Sequence, residues 1–262
     1  MKSLRASVCL AFAVATFLPL TGCVSQTTVE SKPADIATSS DPGQRAQIRT
    51  ALASEYYQRR NFAIAIEEAE SALKAIPTYS PAHMMLGLIY MEIGDDGKAR
   101  TSFEQALRLA PNDPDVLNNF GWFLCQRGDA RRAMPMFQQA LRVPLYSTPQ
   151  RALLNAGICA GKLGNVADAE QYLRQALQLQ PQLQLALAQL ADITFRAGRY
   201  QDAGRYLSQY SKLQSLPDAD MLLLAVRISR ALGDKSNAES YLLQLERRFP
   251  EAPQTRQARG GG

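Results

Sequence analysis

Apolar and polar positions follow a helical period through most of the chain, in pairs of segments joined by short polar turns. The clearest pair lies between His83 and Pro111, with Leu86 and Tyr90 in its first segment and Phe103 in its second. Apolar residues three or four positions apart share one face of a helix. The pattern therefore predicts two amphipathic helices that pack on each other as a hairpin.

This hairpin recurs along the chain at intervals of 34 to 36 residues. Glycines mark the interval at Gly94, Gly128, Gly164, Gly198 and Gly233, and alanines mark it at Ala65, Ala99, Ala133, Ala169, Ala203 and Ala238. The glycines are expected to cap the first helix in the left-handed conformation, and Arg60 replaces the glycine in the first repeat. The alanines let the second helix approach the first closely. The period gives six repeats, at 46–79, 80–113, 114–147, 150–183, 184–217 and 219–252.

The repeat resembles the tetratricopeptide repeat (TPR). The matching anchors are Leu86, Gly87, Tyr90, Ala99, Phe103 and Pro111, and His83 stands where the pattern has Trp. Terminal repeats of such proteins are commonly atypical, and here Tyr210 and Leu245 replace an expected alanine in repeats five and six. Six segments in register predict an all-α TPR superhelical solenoid, against the alternative of an unrelated helical bundle with coincidental spacing.

The N-terminus has the organisation of an export signal. A basic start, Met1–Arg5, precedes an apolar stretch over 6–18, which is too short to span a bilayer comfortably. Leu20-Thr21-Gly22-Cys23 follows and resembles the bacterial lipobox. That resemblance implies a cleaved signal peptide at 1–22, lipidation of Cys23 and an anchor in the outer membrane facing the periplasm. The alternative is an ordinary secreted protein with a chance cysteine.

Two polar segments flank the repeats. Residues 23–44 are rich in Ser, Thr, Ala, Asp, Pro and Gly, and cannot bury enough apolar surface to offset the entropy of ordering. We interpret them as a lipidated, flexible tether, with a partner-binding peptide as the alternative. Residues 253–262 are interpreted as a flexible tail.

The charge of the chain argues against nucleic acid as a partner. The net charge is +5, and removal of the predicted signal peptide with Lys2 and Arg5 would leave +3. This excess is small, and neither a dense Lys/Arg block nor an aromatic RNA-binding motif accompanies it.

The TPR resemblance also predicts a partner-binding surface, because in such stacks the first helices line a concave groove. The groove residues predicted in this way are Tyr57, Met84, Leu88, Met91, Asn118, Trp122, Leu154 and Ile158. An apolar strip of this size suits an amphipathic helix or an extended peptide from another protein. The alternative is that neighbouring repeats bury these side chains as ordinary core.

The candidate chemistry of the repeats is limited to two thiols. Cys125 and Cys159 lie late in the first helices of adjacent repeats, and an oxidising periplasm makes a disulfide between them plausible, with two buried free thiols as the alternative. His83 is the sole histidine and occupies a structural position. Neither a catalytic motif, a phosphate loop nor a dinucleotide fingerprint is recognisable. We therefore predict no catalytic, cofactor-binding or metal site and no enzymatic activity.

The combination of a lipobox, a short tether, six TPRs and a cysteine pair in repeats three and four resembles the type IV pilus biogenesis lipoprotein of Gram-negative bacteria, the pilotin. The resemblance implies that the chain binds the secretin subunit and, through its lipid, brings that subunit to the outer membrane for assembly. We expect the protein itself to be a monomer. The alternative is a TPR lipoprotein of another envelope machine, such as outer-membrane protein assembly or peptidoglycan-enzyme scaffolding.

Overall fold

A computed structural model describes residues 41–213 and 216–260. The predicted signal peptide, Cys23 and most of the tether lie outside the described residues. Within them the chain forms thirteen helices and no strand. The helices are α1 (Pro42–Gln58), α2 (Phe62–Ala75), α3 (Ser80–Ile93), α4 (Asp96–Leu109), α5 (Pro114–Gln126), α6 (Ala130–Arg142), α7 (Pro149–Lys162), α8 (Val166–Leu179), α9 (Gln184–Arg196), α10 (Tyr200–Ser211), α11 (Ala219–Ala231), α12 (Lys235–Arg248) and α13 (Pro253–Arg259).

The first twelve helices form six hairpins in sequence. Within each hairpin the first and second helices pack on each other, and each second helix also contacts the first helix of the next hairpin. Consecutive first helices, α1, α3, α5, α7, α9 and α11, pack on one another in addition. Because consecutive first helices contact one another directly, they lie on the inner side of the stack. The predicted all-α TPR solenoid is confirmed.

Glycines end five of the six first helices with the conformation expected of them. Gly94, Gly128, Gly164, Gly198 and Gly233 have φ angles of 73° to 83°. In the first repeat the same place is taken by Arg60, which adopts φ 58° without the freedom of a glycine. Its guanidinium lies 5.5 Å from the centre of the Phe62 ring, a cation–π contact that helps to hold this turn.

The buried phenylalanines of the core lie in repeats two and three, next to repeat four. The centre of the core is a phenylalanine cluster, formed by Phe103, Phe120, Phe123 and Phe137, all of which are buried. The Phe103 ring lies 5.6 Å from that of Phe120 and 5.5 Å from that of Phe123, so one side chain of repeat two contacts two of repeat three. The cluster therefore joins neighbouring repeats as well as the two helices within each hairpin.

Gly87 is required where α3 crosses α4. A Cβ added there would lie 2.8 Å from the Phe103 ring, closer than real Cβ contacts allow. We expect Gly87→Ala to lower the free energy of unfolding by about 1–3 kcal/mol, because the added methyl forces the ring or the helix to move. Urea unfolding followed by circular dichroism measures this change.

Gly97→Ala, on the first turn of α4, is the matched control. A Cβ at Gly97 would meet only the Asp95 carboxylate, at 3.8 Å. This variant should be neutral or slightly stabilising, because alanine loses less backbone entropy in a helix. Equal losses in the two variants would contradict the close-packing explanation.

The ends of the repeat array differ from the sequence prediction. Helix α1 begins at Pro42 with the Asp41 carboxylate as its N-cap, so residues 41–44 belong to the first helix region and not to a flexible tether. The segment 253–262 was predicted to be a flexible tail, and this is wrong for 253–259, which form α13 against α11 and α12. Thr255 and Ala258 are buried there. These small side chains close the apolar end of repeat six without a hydrophobic period that the sequence pattern could reveal.

Candidate partner-binding groove

The inner face of repeats one to four brings most of the predicted groove residues together. Met84, Leu88 and Met91 on α3 and Trp122 on α5 are half-buried, with one side packed on the buried core that contains the phenylalanine cluster. Leu154 and Ile158 on α7 are likewise half-buried. The neighbouring repeats thus support these side chains without enclosing them. We call these six residues the apolar strip.

Tyr57 marks the first-repeat end of this groove. Its ring lies 6.0 Å from that of Phe62. Partial burial raises the pKa of the Tyr57 hydroxyl, and the nearby carboxylate of Glu92 raises it further, whereas the guanidinium groups of Arg60 and Arg151 lower it. Glu92 belongs to repeat two and Arg151 to repeat four, so charged side chains from several repeats surround this tyrosine.

Asn118 does not line the groove, and its prediction as a groove residue was wrong. It is only 1% exposed, because it lies between α5 and α7. Asn155 Nδ2 donates to Asn118 Oδ1 at 3.0 Å, and Asn118 Nδ2 donates to Asn119 Oδ1 at 3.4 Å. Asn119 in turn lies 3.3 Å from the Met84 sulfur. This amide chain satisfies the buried polar group and fixes repeats two, three and four relative to one another.

A polar rim borders the apolar strip at the end of α5. The Lys162 ammonium lies 5.9 Å from the Trp122 ring centre and donates to the Gln126 side-chain oxygen at 2.8 Å. Arg127 donates to Asp96 at 2.7 Å and to the Met91 backbone oxygen at 3.2 Å. An apolar centre with a polar rim is the arrangement found at protein–protein interfaces.

A disulfide between Cys125 and Cys159 lies beneath this rim. Their Cα atoms are 5.9 Å apart, and both side chains are buried at the C-terminal ends of α5 and α7. The bond fixes the helix that carries Trp122 against the helix that carries Ile158. It therefore holds two walls of the groove together.

The remaining candidate chemistry has structural explanations. His83 Nε2 lies 2.9 Å from the Pro77 backbone oxygen, to which the ring N–H donates, so this histidine ties α3 to the preceding turn. Among the described residues, His, Cys, Asp and Glu form no group of three that could hold a metal ion. The helices of this part of the chain also include none that is long and apolar enough to cross a membrane.

A second concavity lies on the inner face of repeats five and six, where the sequence had suggested no site. It is a cavity of about 650 Å³ between α9 and α11. The positions of α9 that are equivalent to Met84 and Leu88 of α3 are Ala188 and Asp192, and both line the cavity, whereas Phe195, the equivalent of Met91, does not. The spacing was therefore visible in the sequence in part, but the charged Asp192 interrupts the apolar pattern at the equivalent of Leu88.

The helical hairpins and their inner face define the class of this protein. Residues 50–114, 123–183 and 188–253 match the tetratricopeptide repeat family, and residues 102–134 match a second description of the same repeat. The chain therefore belongs to the tetratricopeptide repeat family.

Within that family, two relatives are the pilus biogenesis proteins PilW and PilF. The structure resembles the crystal structure of PilW, a widely conserved type IV pilus biogenesis factor, with 37% identity and a TM-score of 0.75 over 81% of this chain and 97% of PilW. The type IV pilus assembly protein PilF of Pseudomonas aeruginosa is 27% identical over 231 residues, which cover 88% of this chain and 90% of PilF. A solved structure of PilF, at 24% identity and a TM-score of 0.79, has the same fold. The chain is a member of the PilF/PilW family of type IV pilus biogenesis TPR proteins.

Proposed function

We propose that this protein is an outer-membrane pilotin, a lipoprotein that binds the secretin subunit of the type IV pilus and promotes its localisation and assembly in the outer membrane. The observation that carries the proposal is the apolar strip, which the fold supports from behind but leaves partly open on the inner face of a pilus-biogenesis TPR protein. Such a surface is suited to binding another protein without any catalytic step.

The apolar strip suits an amphipathic segment of the secretin subunit. Methionines at Met84 and Met91 adapt their shape to a partner, and Trp122 provides a rigid anchor of the kind that dominates binding energy. Lys162, Gln126 and the Tyr57 hydroxyl supply polar contacts at the border, which fix the register of the bound segment. This division between an apolar anchor and a polar border favours one bound orientation.

Delivery of the secretin subunit to the outer membrane requires attachment to this protein and no chemical reaction. A partner held in the groove shares the membrane attachment of the protein that holds it. Three acyl chains on Cys23, as the lipobox resemblance implies, exceed the two hydrophobic signals that stable anchoring needs. Transport of the anchored protein to the outer membrane would then carry the secretin subunit with it.

Trp122→Ala tests the groove directly. We expect this variant to bind the purified secretin subunit about 30-fold more weakly, a loss of roughly 2 kcal/mol, because truncation of a central aromatic anchor removes its buried contacts. Met84→Ala should weaken binding in the same direction. Affinity is measured by titration of a labelled secretin subunit with the detergent-solubilised lipoprotein.

Tyr200→Ala is the control for these groove variants, because Tyr200 is 41% exposed and lies on a second helix, α10. It should bind as the wild type does. Circular dichroism must show that each variant is folded. Normal binding by folded Trp122→Ala and Met84→Ala would place the secretin contact elsewhere. Recovery of barrel-assembly or murein components in place of secretin from solubilised outer membranes would contradict the pilotin function itself.

Cys23→Ala tests the anchor. We expect this variant to fold and to bind the secretin subunit in solution, but to leave the membrane fraction, because the acceptor of the lipid is gone. Membrane fractionation and immunoblotting measure the change, with Cys125→Ala/Cys159→Ala as the control for a general effect of cysteine loss. Unchanged fractionation of Cys23→Ala would contradict lipidation at this residue.

A further inference from the structure

The cavity between α9 and α11 has a buried apolar floor and a partly open rim. Met221, Leu223 and Tyr210 form the floor, each only 6% exposed. Leu185 stands at the rim and is 47% exposed. A pocket of about 650 Å³ falls within the size range of pockets that hold small ligands or a few side chains of a peptide. Its lining is separate from the apolar strip on repeats one to four.

Acidic and basic side chains line different parts of this cavity. Asp218 and Asp220 lie at the N-terminal end of α11, and Arg227 lies two turns further along the same helix. Arg196 lies at the C-terminal end of α9, the neighbouring first helix of the stack. Because first helices of successive repeats run in the same direction, Asp218 and Asp220 share one end of the cavity, whereas Arg227 and Arg196 lie toward the other.

Uncharged side chains hold Asp220 and Arg227 in place. Asp220 accepts a hydrogen bond from the Gln254 side chain at 2.7 Å, and Arg227 donates to the Gln257 side-chain oxygen at 3.3 Å. Both glutamines belong to α13, which thus orients the two charges without neutralising them. Asp192 occupies the position of α9 that is equivalent to Arg227 of α11, and it pairs with Arg196 at 2.9 Å. With Asp192 and Arg196 paired, the remaining charges give the cavity an acidic end at Asp218 and Asp220 and a basic side at Arg227.

We propose that this cavity is a second peptide-binding site, which takes a short extended segment with an apolar side chain between a basic residue and an acidic residue. The basic residue lies at the Asp218 and Asp220 end, the acidic residue lies at the Arg227 end, and the apolar side chain occupies the space beside Leu185. Charge complementarity selects this occupant over a purely apolar one.

The dimensions of α11 fix the spacing in the peptide. Asp220 and Arg227 are seven residues apart on a helix, which corresponds to about 10 Å along its axis. An extended chain rises about 3.4 Å per residue, and only every second side chain faces the same side. Basic, apolar and acidic residues at alternate positions therefore face the cavity together. The outer two lie about 13 Å apart, and the long side chains of Arg and Glu cover the difference. The matching segment thus has its acidic residue four positions after, or four positions before, its basic residue, with the apolar residue midway between them.

The test uses two fluorescein-labelled peptides and the full-length protein in detergent. One peptide is Gly-Ser-Arg-Ser-Leu-Ser-Glu-Ser-Gly, and the other has Gln in place of both Arg and Glu. We expect the charged peptide to bind at least about tenfold more tightly by fluorescence anisotropy, with a difference that shrinks as salt is added. Equal affinity of the two peptides would overturn the proposal.

Leu185→Ser and Leu243→Ser form a matched pair for the apolar contact. Leu185 is 47% exposed at the cavity, and Leu243 is 46% exposed on α12, away from the residues that line it. Only Leu185→Ser should weaken binding of the charged peptide, by about fivefold or more. A similar loss in both variants would mean that the peptide binds without using the cavity.

Arg227→Glu and a complementary peptide test the charge contact. This variant should bind the original peptide about tenfold more weakly and should regain affinity for a peptide with Lys in place of Glu. Such rescue reports on the contact itself and not on a loss of folding. Absence of rescue in a folded variant would overturn the assignment of Arg227.

Two further outcomes would also overturn the proposal. Loss of peptide binding in Trp122→Ala, with normal binding in Leu185→Ser, would place the peptide in the groove of repeats one to four. A dimer in analytical ultracentrifugation that Leu185→Ser dissociates would show that a second copy of the chain covers the cavity. Since none of these measurements uses the secretin subunit, their result is independent of the proposed pilotin function.

Discussion

Replacement of Phe103 by alanine is expected to lower the free energy of unfolding by about 3–5 kcal/mol, among the largest effects of any single substitution in this chain. Phe103 is fully buried, and it contacts the rings of both Phe120 and Phe123 in the next repeat. Its removal leaves a cavity between two repeats where Gly87 provides no side chain to fill it. Since a whole domain is stable by only about 5–15 kcal/mol, the loss is measurable by urea unfolding.

The control for Phe103→Ala is Leu179→Ala, at a side chain that is 56% exposed at the end of α8. A surface truncation of this kind should change stability by less than about 0.5 kcal/mol. In a repeat protein, each repeat is stabilised mainly by its neighbours. Loss of the Phe103 contacts should therefore also reduce the cooperativity between repeats two and three. A cost for Phe103→Ala no greater than that of Leu179→Ala would show that the cluster is not the centre of the core.

The sequence was sufficient for the fold because the features that determine a TPR hairpin are local. Gly94 and its counterparts adopt the left-handed cap conformation that their spacing predicted. Gly87 faces Phe103 at the crossing of two helices, and this relation repeats at Gly121 with Phe137. Each of these pairs lies within one repeat, so the period of the sequence reveals both members. The final helix escaped prediction because it is held by contacts of Thr255 and Ala258 with other elements, and neither residue has a strong helical pattern around it.

The groove could be predicted only in part, because exposure depends on how repeats pack on one another. The same stripe contains Met84 and Trp122, which remain half-buried, and Asn118, which is buried by an amide contact with Asn155 from the next repeat. A sequence pattern assigns a residue to a helix face but does not measure how closely the neighbouring helix covers it. The cavity beside Leu185 was missed for the same reason, since its depth arises from the distance between α9 and α11.

Loss of the disulfide is the second large effect that we expect. Cys125 and Cys159 are 34 residues apart, and closing a loop of this length in the unfolded chain removes entropy worth about 3–4 kcal/mol. The double variant Cys125→Ala/Cys159→Ala should therefore unfold at a clearly lower urea concentration. Alanine is preferred to serine because both sites are buried and a hydroxyl there would lack a partner.

Reduction provides the matched measurement for this disulfide. A reductant should destabilise the wild-type protein by a similar amount and should leave Cys125→Ala/Cys159→Ala unchanged, because that variant has no bond to lose. The bond also joins α5, which carries Trp122, to α7, which carries Ile158. If the protein binds the secretin subunit as proposed, reduction should therefore weaken that binding even below the temperature at which the protein unfolds. Full binding by the reduced, folded protein would show that the groove keeps its shape through packing alone. Such binding would also mean that the disulfide contributes to stability and not to partner recognition.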